Sequence, residues 1–228
     1  LEIGPGSGNL TSKIIEKKPK EITVIEKDNK LSDLLNRKFG STINIINKDI
    51  LKYSYENMLN KKLIIYGNLP YNISTQILVS WIRINQLNRF CKKFILLFQK
   101  EVANRIISSH NKKDYGRLSI LASWKMDVKK IKDIEPSCFN PRPKVDSSIL
   151  VFTPKKDIFP IKNCKNLEHI TNIFFSQRRK MIKKPLNLIF KNSKEIAYKL
   201  NLNLNDRPQN LSPLTYFKIC KEYENLLN

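Results

Sequence analysis

Short apolar runs alternate with segments of helical spacing along the first two thirds of the chain, and this alternation constrains the fold most. The strand-like runs lie at residues 1–3, 22–25, 43–46, 63–66 and 94–98. Between them, apolar residues recur at helical spacing, as Leu31, Leu34 and Leu35 do. Strands separated by helices in this way form βαβ units. The sequence therefore predicts an α/β fold, with a parallel sheet that carries helices on both faces.

The pattern changes after Pro154. Before this point the sequence predicts helices at residues 100–108 and 117–123 and strands at 128–134 and 148–152. Beyond it the strand pattern fades and helical stripes begin, the first formed by Leu167, Ile170, Ile173 and Phe174. Ser212-Pro213 has the form of an N-cap followed by proline at the first helical position. We therefore predict two domains, residues 1–154 with the sheet and residues 155–228 as a small all-α domain.

The charge balance favours a polyanionic partner. Lys and Arg number 42 against 20 Asp and Glu, which gives a net charge of +22. Such an excess attracts nucleic acid over a long range. A lysine-rich genome bias would also raise the lysine count, but it would not obviously keep acidic residues so scarce. The composition therefore predicts a nucleic-acid-binding protein.

Cysteine, histidine and hydropathy patterns exclude several other classes of protein. The four cysteines are widely separated and form no C-x-x-C pair, and only two histidines occur. This usage favours neither a metal site nor a disulfide framework. No apolar run approaches the roughly 18 residues that a membrane span needs. We therefore predict a cytoplasmic protein that binds no metal and does not cross a membrane.

Three glycines and two acids follow the first three strand-like runs. Gly4, Gly6 and Gly8 have G-x-G-x-G spacing, which lets a backbone turn sharply and approach a ligand. A tight turn between strand and helix would use the same residues without any ligand. The spacing also differs from the G-x-G-x-x-G of dinucleotide-binding folds.

The two acids sharpen the interpretation of this edge. Glu26 lies where a carboxylate accepts both ribose hydroxyls, and Asp49 can accept from an adenine amino group, with Ile50 as an apolar shelf. Lys27 is predicted to line the same pocket. Either acid alone could instead be a helix N-cap. Together, the glycines and the acids predict an adenosine-binding pocket at the carboxyl edge of the sheet.

The fourth run ends in the segment YGNLPYNIST, residues 66–75. The Asn68 side chain and the Leu69 carbonyl can accept the two hydrogens of an exocyclic amine, so that its nitrogen lone pair points outward. Pro70 keeps the preceding backbone extended, and Tyr71 offers a ring on which a base can stack. These residues predict a site that presents a base amine to an electrophile. The sulfonium methyl group of S-adenosylmethionine fits that description.

These motifs resemble a known family. Gly4-Pro5-Gly6, Glu26, Asp49 and GNLPYNIST are similar to Rossmann-like S-adenosylmethionine-dependent methyltransferases that modify adenine. Further similarities are FQKEVANRI at residues 98–106, YGRLS at 115–119, PSCFNPRPKVDSS at 136–148 and SQRRKMIKKPL at 176–186. With these, nearly the whole chain resembles the small-subunit ribosomal RNA adenine dimethyltransferases of the KsgA/RsmA type.

The resemblance implies a fold, a cofactor and a substrate. The fold would be a seven-stranded class I methyltransferase sheet followed by a helical RNA-binding domain. The cofactor would be S-adenosylmethionine. The enzyme would dimethylate the exocyclic amines of two adjacent adenosines near the 3′ end of small-subunit rRNA during ribosome biogenesis. It would act as a monomer on a pre-30S particle.

The resemblance also implies residue roles. Gly4, Gly6 and Gly8 would line the methionine end of the cofactor, Glu26 the ribose and Asp49 the adenine, and Asn68 would serve cofactor and target. Tyr71 and Phe139 would sandwich the flipped adenine, although on sequence alone Phe139 could instead be a core aromatic. The implied RNA contacts are Arg142, Lys144, Arg178, Arg179, Lys180, Lys183 and Lys184. Any one of these cations could instead lie on a solvated helix face.

One departure and two alternative functions accompany the resemblance. Family members carry a segment ahead of the glycines that this sequence lacks, so we expect an N-terminally truncated chain that binds cofactor weakly and methylates poorly. One alternative function is a resistance-type methylase of large-subunit rRNA, against which Leu69 and PRPKVDSS argue. The other is a non-catalytic factor in ribosome assembly or transcription. The intact Asn68–Tyr71 motif argues against lost catalysis.

Overall fold

A computed structural model describes residues 1–59 and 61–227, in two compact units. The first unit joins Leu1–Ala103 with Lys129–Pro154, and the second joins Asn104–Val128 with the residues after Pro154. Pro154, where the sequence predicts a change of pattern, is the last residue of the first unit, and the predicted division into two domains stays a prediction. Residues 104–128, which the sequence prediction placed with the sheet, belong to the second unit. Residue 228, the last of the predicted helical domain, lies outside the described residues.

The described residues form a single seven-stranded sheet. Its strands are β1 Glu2–Ile3, β2 Thr23–Glu26, β3 Asn44–Asn47, β4 Leu63–Asn68, β5 Cys91–Gln99, β6 Met126–Ile134 and β7 Ser147–Pro154. Their order is β3-β2-β1-β4-β5-β7-β6.

The first five strands are parallel, as predicted, and β7 is not. Each neighbouring pair among β1 to β5 is parallel, whereas β7 pairs with β5 antiparallel, from Phe94 opposite Phe152 to Gln99 opposite Ser147. β6 and β7 are neighbours in the sheet, and no α-helix lies between them in the chain. This pair therefore lacks the crossover connection that parallel neighbours require. The parallel part brings the carboxyl ends of β1, β2, β3 and β4 to one edge.

The described residues contain ten α-helices. These are α1 Asn9–Ile15, α2 Asn29–Phe39, α3 Ser74–Ile82, α4 Leu87–Phe90, α5 Lys100–Ile107, α6 Arg117–Lys125, α7 Cys164–Ser176, α8 Lys183–Ile189, α9 Ser193–Lys199 and α10 Pro213–Leu226. Short 3-10 helices lie at Gly40–Thr42, Ile50–Lys52, Glu56–Met58, Pro136–Cys138 and Pro208–Asn210. The predicted cap is confirmed, because the Ser212 hydroxyl accepts from the Thr215 N–H at 3.1 Å.

Aromatic side chains form the core of the first unit around β4, β5 and β7. Trp81 and Phe94 are fully buried with ring centroids 4.8 Å apart, and Phe98 packs on Phe152 at 6.0 Å. Each such ring contributes on the order of 2–3 kcal/mol by leaving water. This packing fixes the strands whose ends carry the predicted site.

In the second unit, α6 packs against α7 and α10. Phe174 of α7 meets Tyr216 of α10 edge to face at 5.4 Å, and both are fully buried. Ile120 and Leu121 of α6 are also buried, which explains why residues 104–128 join the helices rather than the sheet. The Tyr216 hydroxyl donates to the Pro208 carbonyl at 2.7 Å, so its burial leaves no unpaired donor.

Within the described residues, no helix has the length and apolarity that spanning a bilayer requires. Nor does this part of the chain gather three or more His, Cys, Asp or Glu side chains in a group suited to a metal ion. All four cysteines are free thiols, and burial raises the pKa of Cys91 to about 12.

Candidate active site

The glycine turn joins β1 to α1 and is open on one side. Gly4, Gly6 and Gly8 have φ of +62°, +58° and +79°, a left-handed region that glycine adopts without strain. A Cβ at Gly4 or Gly6 would meet no atom within 4 Å, whereas one at Gly8 would lie 2.5 Å from the Phe39 ring. Open space therefore adjoins the backbone at Gly4 and Gly6, whereas Gly8 packs closely on α2.

Alanine substitutions should separate these two roles. We expect Gly8→Ala to lower the free energy of unfolding by about 2–4 kcal/mol, because strained backbone and a clash combine. Gly6→Ala should cost only about 1–2 kcal/mol, the penalty of left-handed φ, while weakening cofactor binding. Urea unfolding and calorimetric titration with S-adenosylmethionine measure the two effects. Equal destabilisation by both substitutions would contradict this assignment.

Glu26 ties the end of β2 to the glycine turn. Its carboxylate is buried, and Oε2 accepts from the Gly6 N–H at 3.3 Å. Oε1 accepts from the N–H groups of Lys27 at 2.8 Å and Asp28 at 3.0 Å. These three donors fix the orientation of the carboxylate. Because an ionised carboxylate has about four acceptor positions, it can still accept from hydroxyl groups of a ligand.

Asp49 follows β3, and its carboxylate already has partners in the chain. Oδ2 lies 2.9 Å from Lys27 Nζ, and Oδ1 accepts from the Leu51 N–H at 3.0 Å. The hydrogen bond from Lys27 and that from Leu51 hold the pKa of Asp49 below its ordinary value. Ile50, next in the chain, is only 8% exposed. A ligand amino group would therefore share Asp49 with Lys27, and Ile50 has little exposed surface to offer a ligand.

The turn after β4 presents two acceptors. Leu69 is buried against Gly67, where a Cβ would meet Leu69 Cδ2 at 2.7 Å, and this contact anchors the turn. The Pro70 carbonyl accepts from the Ile73 N–H at 3.1 Å and closes it. Asn68 is exposed, and in residues 1–59 and 61–227 neither its side-chain amide nor the Leu69 carbonyl has a hydrogen-bond partner. Both are therefore available to an external donor.

The two predicted stacking residues are half-buried in the first unit. Tyr71 has its hydroxyl 2.5 Å from Ser147 Oγ, and its carbonyl accepts from the Ser74 hydroxyl at 3.1 Å. Phe139 follows the 3-10 helix Pro136–Cys138. Among the ring pairs of the described residues, Tyr71 and Phe139 do not contact each other. The two rings are therefore not stacked on each other, and their role in holding a base stays a prediction.

The predicted RNA-contacting residues differ in exposure. Arg142 and Lys144 are exposed in the loop that carries Phe139. In the second unit Arg179, Lys180, Lys183 and Lys184 are also exposed. Arg178 is half-buried, and its guanidinium donates to the Lys113 carbonyl and, at 3.3 Å, to Gln209 Oε1. The structure thus gives Arg178 a structural role, and its role in RNA binding stays a prediction.

Two lysines absent from the sequence prediction lie beside Lys183. A cavity of about 500 Å³ is lined by Lys183, Lys191, Lys194 and polar side chains such as Asn187. Lys191 and Lys194 fall in the segment FKNSKE, where the density of lysine was the only available indication. Ser147, the partner of Tyr71, was likewise missed, because nothing local distinguishes it from Ser148.

Charge removal should distinguish Arg178 from its neighbours. We expect Arg179→Ala with Lys180→Ala to weaken RNA binding and to reduce the slope of log affinity against log salt by about 1–2, since each released phosphate contact contributes about 0.7–0.9. Arg178→Ala should instead lower the free energy of unfolding by about 1–3 kcal/mol, through lost charged hydrogen bonds. Filter binding at several salt concentrations and thermal unfolding measure these effects. A lower salt slope for Arg178→Ala at unchanged stability would contradict the structural role.

Residues 1–225 match the family model described as "Ribosomal RNA adenine dimethylase". The chain belongs to this family. It is 60% identical over 226 residues to "Ribosomal RNA small subunit methyltransferase A" of Pelagibacter ubique (strain HTCC1062), covering 99% of this chain and 86% of the relative. It is 42% identical to the protein of the same name in Ehrlichia ruminantium (strain Gardel), covering 93% of this chain and 81% of that relative. The predicted family and its enzymatic class, an rRNA adenine dimethyltransferase, are confirmed.

Solved structures of similar fold agree with the family. A dimethyladenosine transferase from Plasmodium falciparum superposes with a TM-score of 0.78 at 25% identity, covering 98% of this chain and 89% of that one. The 23S rRNA methyltransferase ErmE has a TM-score of 0.68 at 19% identity, covering 98% of this chain and 89% of that one. At this identity the likeness shows the fold alone. The predicted seven-stranded class I methyltransferase fold is confirmed.

Proposed function

We propose that this rRNA adenine dimethyltransferase uses S-adenosylmethionine to dimethylate the exocyclic amines of two adjacent adenosines near the 3′ end of small-subunit rRNA. The substrate would be a pre-30S particle, and the protein would act on it as a monomer. The names of the two relatives support the small subunit as the target. The proposed chemistry is supported by two acceptors without a partner, Asn68 Oδ1 and the Leu69 carbonyl, in the segment that leads to Tyr71.

The residues at the carboxyl edge fit the cofactor. Gly4 and Gly6 have open space where a side chain would otherwise project, so the methionine end can approach the backbone closely. Glu26 is fixed by three N–H donors and retains capacity for the ribose hydroxyls. Asp49 would hold the adenine amine together with Lys27. When bound, S-adenosylmethionine supplies a methyl group on a positively charged sulfur, an electrophile for an amine lone pair.

Asn68, Leu69 and Tyr71 would prepare the adenine amine. The lone pair of that amine is normally delocalised into the ring, so the nitrogen is a poor nucleophile. If Asn68 Oδ1 and the Leu69 carbonyl accept its two hydrogens, the nitrogen becomes pyramidal and its lone pair points away from the acceptors. Stacking between Tyr71 and Phe139 would fix the plane of the base. The motif from Asn68 to Tyr71 holds no carboxylate or imidazole, so the proton would leave to water.

The exposed cations would bind the RNA while its adenosine is unstacked. Unpaired loops cost least to open, and phosphate contacts orient the strand without reading its sequence. Arg142 and Lys144 lie in the loop with Phe139, which suits them to phosphates next to the flipped base. Arg179, Lys180, Lys183 and Lys184 would contact other parts of the rRNA. The net charge of +22 supports this interpretation.

The target can be tested by primer extension, because a dimethylated adenine stops reverse transcriptase. Unmethylated 30S particles and naked large-subunit rRNA are incubated separately with the purified protein and S-adenosylmethionine. We expect stops at two adjacent adenosines near the 3′ end of the small-subunit rRNA and none on the large-subunit rRNA. The reverse pattern would establish the resistance-type methylase, and stops on neither RNA would contradict the proposed function.

A further inference from the structure

Three consecutive residues, Asp146, Ser147 and Ser148, bind three different partners at the start of β7. The Asp146 carboxylate lies 3.0 Å from Lys100 Nζ. Ser147 Oγ lies 2.5 Å from the Tyr71 hydroxyl, and Ser148 donates to Asp133 Oδ1 at 2.6 Å. Both serines are fully buried. In the motif VDSS, Asp146, Ser147 and Ser148 thus each have a defined partner, and the partner of Ser147 is Tyr71.

Ser147 is itself held firmly. It pairs with Gln99 at the carboxyl end of β5, the strand beside β4. Asp146, the residue before it, lies 3.0 Å from Lys100 Nζ, and Lys100 Nζ also lies 3.3 Å from Asp133. The Lys100 N–H also donates to the Asp146 carbonyl at 2.9 Å. The Ser147 hydroxyl therefore has a defined position relative to the end of the sheet.

Tyr71 is consequently held at both ends. Its carbonyl accepts from Ser74 at the start of α3, and its hydroxyl bonds to Ser147, 76 residues along the chain. With only the first bond, rotation about the side-chain torsions would change the plane of a half-buried ring at little cost. With the second bond as well, the far end of the ring is fixed.

We propose that Ser147 is a positioning residue for methyl transfer, holding the Tyr71 ring in the plane on which the target adenine stacks. The inference rests on the proposed stacking role of Tyr71. Ser147 would not touch the substrate, because its hydroxyl is buried and bonded to the phenol. It would act only through the orientation of the ring.

The two successive transfers depend on this orientation to different degrees. In the first, the amine has two hydrogens, and Asn68 and Leu69 can each accept one. After one methyl group has been added only one hydrogen remains, so one acceptor loses its donor. The direction of the lone pair in the second transfer then depends more on stacking against Tyr71. Loss of the Ser147 bond should therefore slow the second transfer more than the first, and monomethylated adenosine should accumulate.

Ser147→Ala and Tyr71→Phe test the inference together, since each removes one partner of the same bond. Both should lower the rate of the second transfer about fivefold, the factor that one hydrogen bond of ordinary net strength supplies, with unchanged KM for S-adenosylmethionine. In the double variant the effects should not add. Nucleoside mass spectrometry of reacted 30S particles measures the ratio of mono- to dimethyladenosine over time.

Ser148→Ala is the matched control, because it also removes a buried serine hydroxyl with one hydrogen bond. It should lower the melting temperature but leave the ratio of the two products as in the wild type. Additive effects of Ser147→Ala and Tyr71→Phe, or equal product ratios in Ser147→Ala and Ser148→Ala, would overturn the inference. These outcomes leave the proposed function intact, whereas a wild-type protein that modifies no adenosine would refute that function itself.

Discussion

Asn68→Ala is expected to lower the rate of methyl transfer by about 10²–10³-fold, the cost of losing one preorganised group at a reacting centre. Asn68 is exposed at the carboxyl end of β4 with an unpartnered side-chain amide, so its removal leaves no chain contact unsatisfied. The variant should therefore fold normally. Single-turnover assays with methyl-labelled S-adenosylmethionine and 30S particles measure the rate.

Asn72→Ala is the control for this prediction. Asn72 is also an exposed asparagine, four positions further along the same segment, but it lies beyond the proposed cradle. We expect its transfer rate to remain within about twofold of the wild type, as is usual for surface substitutions away from special features. Methyl transfer by Asn68→Ala at the wild-type rate would refute the amine-orienting mechanism.

Glu26→Gln is expected to weaken S-adenosylmethionine binding by about 50-fold, within the range for losing hydrogen bonds to a charged group. Glu26 accepts from three backbone N–H groups and would accept from the ribose hydroxyls. A glutamine has one acceptor oxygen, and its amide N–H₂ would face either those backbone donors or the ligand. Isothermal titration calorimetry measures the change in affinity.

Asp28→Asn provides the charge-matched control. Asp28 lies two residues after Glu26 and caps α2 by accepting from the Leu31 N–H at 3.0 Å. Asparagine is an equally good N-cap, so this change removes one negative charge with little effect on the helix. If both variants lost affinity to the same extent, the general charge of this edge would explain cofactor binding and Glu26 would have no specific role.

The fold was largely predictable because it follows from local spacing. The runs that became β2 to β5 are short and mostly apolar, and α2 and α3 separate β2 from β3 and β4 from β5, so a parallel sheet could be predicted from local spacing. The order of the strands could not. The antiparallel β7 and the assignment of residues 104–128 to the second unit were not predicted. Both depend on which apolar faces meet in three dimensions, as when Ile120 and Leu121 are buried among α6, α7 and α10.

The candidate site was predictable in its residue types but not in its partners. Glu26 and Asp49 look equivalent in sequence, each an acid at the end of a strand-like run. The structure separates them, because Glu26 is buried on three N–H groups while Asp49 pairs with Lys27. Similarly, Arg178 reads as one of several surface cations, although Gln209 and Lys113 bind it. Apart from the N–H groups of Lys27 and Asp28, these partners lie 20 or more positions away in the chain, where local sequence gives no indication of them.

The most direct test of the proposed amine-orienting chemistry is a structure of the protein with S-adenosylhomocysteine and an RNA fragment that contains the target adenosine. We expect the adenine amine within about 3 Å of both Asn68 Oδ1 and the Leu69 carbonyl, with the ring stacked on Tyr71 and the amine facing the sulfur. An adenine bound away from Tyr71, or an amine without contact to these two oxygens, would contradict the proposed chemistry.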